Sequence, residues 1–152
     1  MKPYILKRTQ LIQRPLAEVF PFFASPENLA RITPPWLHFV IRTPSPVEMK
    51  AGALIEYTIR WLGMPVRWKT EINDYEPPFR FVDRQIRGPY TLWHHTHVFS
   101  ELNGMTEMTD LVQYRLPLGP VGRMLHTLLI RRQLQEIFEY RYNVIEEIFN
   151  KH

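Results

Sequence analysis

The chain contains no cysteine. That excludes disulfides, thiol nucleophiles, cysteine zinc sites, iron–sulfur clusters and sulfur-attached haem. Histidine and carboxylates must therefore carry any chemistry. Glycine is scarce, at six in 152 residues, and forms no phosphate-cradling loop. Gly119-x-x-Gly122 lacks both the strand and the third glycine of a dinucleotide fingerprint. No Ser-His-Asp order is present. No apolar run approaches the ~20 residues of a membrane span. The opening MKPYILKRTQLIQR is charged throughout and lacks the apolar block of a signal peptide. A cytoplasmic protein with no stable membrane insertion is expected. Repeats and Ser/Gly-rich linkers are also missing, so residues 1–152 read as a single domain.

Hydrophobic residues make up 45% and charged residues 22%, the balance of a globular domain. A chain of this length buries roughly 68–70% of its unfolded surface. Aromatics are abundant, with nine Phe, seven Tyr and four Trp. The net charge is +4, but Lys and Arg are spread along the chain and form no basic helix or arm. No nucleic-acid partner is expected.

Residues 4–13 read as a strand. Leu16, Val19, Phe20 and Phe23 have helical spacing, with Pro21 keeping that helix short or kinked. Ser25-Pro26-Glu27 is placed to cap a second short helix through Ile32. Six strands follow, at 38–43, 53–62, 65–75, 79–87, 91–102 and 105–116, separated by Gly/Pro/Asn turn signals. After Leu116-Pro117-Leu118-Gly119-Pro120, a helix over 121–150 carries the apolar stripe Leu125, Leu128, Leu134, Ile137, Phe138, Ile145, Ile148, Phe149. Such a helix is about 45 Å long and must lie across the sheet. Met124–Ile130, seven residues containing His126, reads as its start. The class is α+β.

Asn103-Gly104 fixes a register. Asn-Gly favours a two-residue type I′ turn, because both positions need positive φ. Leu102 then faces Met105, His97 faces Asp110, His95 faces Val112 and Trp93 faces Tyr114. Side chains alternate with period two, so Trp93, His95, His97, Phe99, Met108, Asp110, Val112 and Tyr114 share one face, opposite His94. Directly opposed Cβ atoms lie about 4.5–5.5 Å apart, within reach of a His97–Asp110 hydrogen bond. A three-residue loop Gly88-Pro89-Tyr90 adds Phe81, Asp83 and Gln85 to that face, with Asp83 beside His95 and Gln85 beside Trp93. Arg80 and Arg84 would point to solvent. Trp68, Thr70 and Ile72 join the concave side from the strand before. Arg141 lies on the helix stripe and needs an anion, since a bare buried guanidinium is costly; Asp83 and Asp110 are the inward carboxylates.

The chain resembles a known superfamily at three places. They are Arg14-Pro15-Leu16-Ala17-Glu18-Val19-Phe20 leading into Ser25-Pro26-Glu27-Asn28-Leu29; Gly88-Pro89-Tyr90 with Trp93, His95, His97 and Phe99; and Thr109-Asp110 with Tyr114-Arg115-Leu116-Pro117. These residues and the element order are similar to the START-like superfamily, also called SRPBCC, in its branch related to polyketide cyclase/dehydrase and lipid-transport proteins. The resemblance implies a helix-grip fold. In it a curved seven-stranded antiparallel sheet wraps around the C-terminal helix, two short helices follow strand 1, and a ligand cavity lies between sheet and helix. It also implies a cavity mouth near Trp36.

The expected partner is a hydrophobic or aromatic small molecule, such as a lipid, quinone, isoprenoid or polyketide-like compound. Trp68, Phe81, Trp93, Phe99, Met108 and Tyr114 would form the wall. Asp83, Gln85, His95, His97, Asp110 and Arg141 would supply polar contacts. The alternative is a cyclase or dehydratase in which His97 and Asp110 act as general acid and base; a third reading is a protein-interaction module with an unknown partner. Two His and a carboxylate also form a metal donor set. No helix-borne H-E-x-x-H accompanies them, and neither a metal nor a cofactor is expected.

Overall fold

The computed structural model describes residues 2–151. The chain runs through strand β1 (Tyr4–Ile12), helix α1 (Leu16–Phe23), two 3₁₀ segments (Pro26–Ile32 and Pro35–Leu37), then β2 (Val40–Ile41), β3 (Leu54–Trp61), β4 (Met64–Glu76), β5 (Arg80–Arg87), β6 (Leu92–Leu102) and β7 (Met105–Arg115). A continuous C-terminal helical rod follows. It comprises α2 (Gly119–Leu125), a π-turn (His126–Ile130), α3 (Arg131–Ile145) and a second π-turn (Glu146–Asn150). One seven-stranded antiparallel sheet has the order β1-β7-β6-β5-β4-β3-β2.

The hairpin register is the one the Asn-Gly turn dictates. Asn103 and Gly104 have φ of 52° and 77°, and Leu102↔Met105, His97↔Asp110 and Trp93↔Tyr114 are opposed. A second turn of the same kind joins β3 to β4, with Leu62 at φ 52° and Gly63 at φ 80°. The 38–43 strand shrinks to Val40–Ile41 at the sheet edge. His38 at φ 48° enters it in a left-handed conformation that breaks the extended run. Ser25 does not cap the 3₁₀ segment through its side chain; its hydroxyl donates back to the Pro21 carbonyl at 3.0 Å.

The rod buries His126, Ile130, Leu134, Phe138, Arg141, Ile145 and Phe149. Leu128, expected on the stripe, is 64% exposed, and Ile130 takes its place. Leu128 stands six residues before Leu134, about 120° off its face, whereas Ile130 stands one turn away.

The core has two apolar clusters. One packs α1 residues Phe20 and Phe23 on Phe81, Phe99, Met108 and Ile145. The other gathers Trp68, Tyr90, Val112, Tyr114, Leu134 and Phe138. Among the described residues, no helix is long and apolar enough to cross a membrane.

Candidate functional site

A polar layer separates the two clusters. On β7, Asp110 lies between Met108 of one cluster and Val112 of the other; on α3, Arg141 lies between Ile145 and Phe138. His95 and His97 occupy the same level on β6, between Trp93 and Phe99, and Asp83 follows Phe81 on β5. Period-two alternation in the strands and a helical repeat of three to four residues therefore bring five ionisable side chains to one height. His95, His97, Asp110 and Arg141 are buried, and Asp83 is partly exposed.

Within the layer the hydrogen bonds run diagonally. Asp83 opposes His95 and Asp110 opposes His97 along the ladders. Yet His95 Nε2 donates to Asp110 Oδ1 at 2.8 Å, and His97 Nε2 lies 2.6 Å from Asp83 Oδ2. The expected His97–Asp110 hydrogen bond is thus not formed; His97 Nδ1 is 3.4 Å from Asp110 Oδ1 and is a buried nitrogen without a hydrogen bond. The reason is that the two imidazoles stack, with centroids 3.7 Å apart. Residues two apart on one face lean along the strand and reach the diagonal neighbour. Arg141 finds its anion in Asp110, with Nη2 donating to Oδ1 at 3.2 Å.

The electrostatics follow from this packing. Burial pushes the Asp110 carboxyl up, but Arg141 and His95 outweigh it and hold the group well below the usual carboxylate range. Asp83 is likewise lowered, because its hydrogen bond to His97 and the nearby charges outweigh burial. His97 moves down to about 4, through burial and then His95, against the pull of Asp83 and Asp110. At neutral pH it is an uncharged imidazole.

Beside this layer lies a cavity of about 190 Å³. Its apolar wall includes Ile32, Leu37, Tyr57, Trp68, Ile137 and Phe138, and its polar end is Asp83, His95, His97 and Arg141. The Trp68 indole N–H is buried and has no hydrogen-bond partner. Of the residues expected at the site, Phe81 and Trp93 also border the cavity.

The others lie elsewhere. Phe99 and Met108 pack in the α1 cluster beyond the polar layer. Asp110 does not border the cavity; it holds His95 and Arg141 instead. The Tyr114 hydroxyl is engaged with His126 Nε2 at 2.7 Å. Gln85 does not reach the cavity. Its amide donates to the Tyr90 carbonyl at 2.6 Å and its oxygen accepts the Tyr90 N–H at 3.1 Å, closing the β5–β6 loop. Trp36 is 45% exposed and stands off the cavity wall. Conversely, Tyr57 and the 3₁₀ residues Ile32 and Leu37 line the cavity without having been expected there. Alternation of Ile55, Tyr57 and Ile59 along β3 carries the signal for Tyr57.

Asp83, His95 and His97 each present one donor atom within 4.8 Å of the others, and two imidazoles with a carboxylate are groups that can ligate a metal ion. The same groups can exchange protons with a bound molecule, and the cavity can hold one.

No family model and no curated protein matches the sequence. Solved structures do match in shape. The TTHA0849 protein from Thermus thermophilus superposes with a TM-score of 0.75 at 19% identity, covering 95% of each chain. The Zhui aromatase/cyclase from a Streptomyces species gives 0.68 at 14% identity over 96% of each chain. The ginseng major latex-like protein 151 gives 0.67 at 12% identity, over 98% of this chain and 99% of that one. This chain has the helix-grip fold. At such identities the likeness establishes that architecture alone.

Proposed function

We propose that the protein is a START-like binding protein for a small hydrophobic, aromatic molecule carrying a polar group. The observation that carries this reading is the cavity, apolar on most sides and closed at one end by Asp83, His95, His97 and Arg141. That is the usual make-up of a ligand pocket. Size narrows the ligand class: a cavity of about 150 Å³ accepts benzene, so 190 Å³ suits one or two rings. A longer lipid, isoprenoid or polyketide-like chain would extend beyond this volume.

The test is a tryptophan-fluorescence titration with 1-naphthol. Binding that Ile137→Trp abolishes, by filling the cavity, supports the reading. Absence of binding at millimolar 1-naphthol, or equal binding by the filled variant, overturns it.

One observation favours a second reading, acid–base catalysis. His97 is uncharged, borders the cavity and is hydrogen-bonded to a carboxylate, so it can relay a proton to or from a bound molecule. Asp83, rather than Asp110, is then its partner. Under this reading His97→Ala keeps ligand affinity and lowers turnover of a carbonyl substrate at least ~100-fold.

A further inference from the structure

We propose that Asp83 Oδ2, His95 Nδ1 and His97 Nε2 bind one divalent first-row transition-metal ion at the polar end of the cavity, with Asp110 orienting both imidazoles from behind. This goes beyond the binding of an apolar molecule and stands without it.

The donor atoms are already gathered. His97 Nε2 is 2.6 Å and His95 Nδ1 3.8 Å from Asp83 Oδ2. Donors about 2.1 Å from a tetrahedral ion stand about 3.4 Å apart. The first contact must therefore open and the second close, each by less than an ångström, while all three donor atoms already lie within 4.8 Å of one another. All three residues border the cavity.

The groups behind the donors match what a metal site needs. Metal-bound imidazoles donate their second N–H to a carboxylate or carbonyl, which fixes the tautomer. Here the far nitrogens of both rings meet one oxygen, Asp110 Oδ1, at 2.8 Å from His95 Nε2 and 3.4 Å from His97 Nδ1. Arg141 anchors that oxygen at 3.2 Å. For His95 the arrangement asks for the tautomer with its proton on Nε2, 2.8 Å from Asp110 Oδ1, and its Nδ1 lone pair on the Asp83 side.

His97 supplies the independent observation. It touches a carboxylate through each nitrogen, yet a neutral imidazole has one proton. With that proton given to Asp83, the buried Nδ1 is left without a hydrogen bond beside Asp110. A cation between Asp83 and His97 releases the proton to Nδ1, and both nitrogens are then satisfied. It also offsets charge, since Asp83 and Asp110 face only one guanidinium in the layer, and buried uncompensated charge is costly.

Two imidazoles and one carboxylate, with no thiolate in the chain, suit zinc or ferrous iron rather than magnesium or calcium. The remaining coordination positions face the cavity, where an oxygen of a bound organic molecule would complete the shell.

The probe is Co²⁺, added to metal-stripped full-length protein at neutral pH and followed by its visible absorption. The expected result is a band that saturates at one equivalent and that Zn²⁺ displaces. His97→Gln should weaken Co²⁺ binding at least ~100-fold and Asp110→Asn ~10- to 100-fold. His94→Gln, on the opposite face, should leave it unchanged. No band at millimolar Co²⁺ with folded protein overturns the proposal, as does a band that His94→Gln removes. If His97→Gln fails to fold, imidazole ¹⁵N spectra of the wild type with Zn²⁺ decide. Shifts at His95 Nδ1 and His97 Nε2 support the site; shifts confined to His38, His94 or His126 overturn it. A 1-naphthol titration of the same metal-stripped protein reports on the cavity separately.

Discussion

His97 stands opposite Asp110 in the β6–β7 ladder but gives its hydrogen bond to Asp83, 2.6 Å away on β5. His95 makes the reverse choice, opposing Asp83 and bonding Asp110. The two imidazoles thereby tie β6 to both of its neighbours, and Arg141 ties the helix to the same layer.

The coupling between Asp110 and Arg141 should be large. Removing one member of a buried ion pair costs about 3–5 kcal/mol because the other charge is left uncompensated. Asp110→Asn and Arg141→Met should each lose stability on that scale in urea denaturation. The double variant should lose clearly less than the sum of the two. Additive losses would mean that the pair is not coupled.

Acid should destabilise the fold through His97. Burial and His95 hold its imidazole down to about 4, against an ordinary value of 6.5. The unfolded chain therefore takes up the proton first. The stability this group contributes is full above about pH 6.5 and is lost as the pH falls toward 4, on the order of 3 kcal/mol. Asp83 and Asp110, also held low, give up theirs below the ordinary carboxylate value. Denaturation midpoints measured across this range should fall steadily, and His97→Gln should flatten the slope between pH 6.5 and 4. An unchanged slope in that variant would refute the assignment.

Gly122 should tolerate no side chain. A Cβ there would strike the Pro117 carbonyl oxygen, which is backbone and cannot swing away. Gly122→Ala should cost about 1–3 kcal/mol by overpacking, read as a lowered melting temperature.

Leu62 offers a gain instead. It holds a φ of 52° in the β3–β4 turn, where a Cβ-bearing residue costs roughly 1–2 kcal/mol and Asn is better tolerated. Leu62→Asn should raise stability by about 1 kcal/mol in the same assay.

Much of this arrangement is legible in the sequence because one dipeptide fixes a register. Asn103-Gly104 forces a two-residue turn, and period-two alternation then places Trp93, His95, His97 and Asp110 on one face. Register specifies which Cα atoms are opposed, but not side-chain torsions, so the diagonal exchange of partners between His95 and His97 is not readable. Gln85 has the right face, yet the tight Gly88–Tyr90 loop uses both ends of its amide. Leu128 and Ile130 exchange roles because the buried stripe is set by Leu134 and Phe138, from which Ile130 is one helical turn away and Leu128 about 120° off. Ile32 and Leu37 belong to 3₁₀ segments too short to show any period.

The cavity is the centre of the account, and Trp68 is its best reporter. The Trp68 indole N–H is buried without a partner in the cavity wall, whereas Trp36 stands outside it, 45% exposed. The direct measurement is an indole ¹H–¹⁵N spectrum recorded as 1-naphthol is added. Shifts for Trp68 and Trp93 with Trp36 unmoved are expected. Shifts confined to Trp36, or none at millimolar 1-naphthol, would contradict this reading.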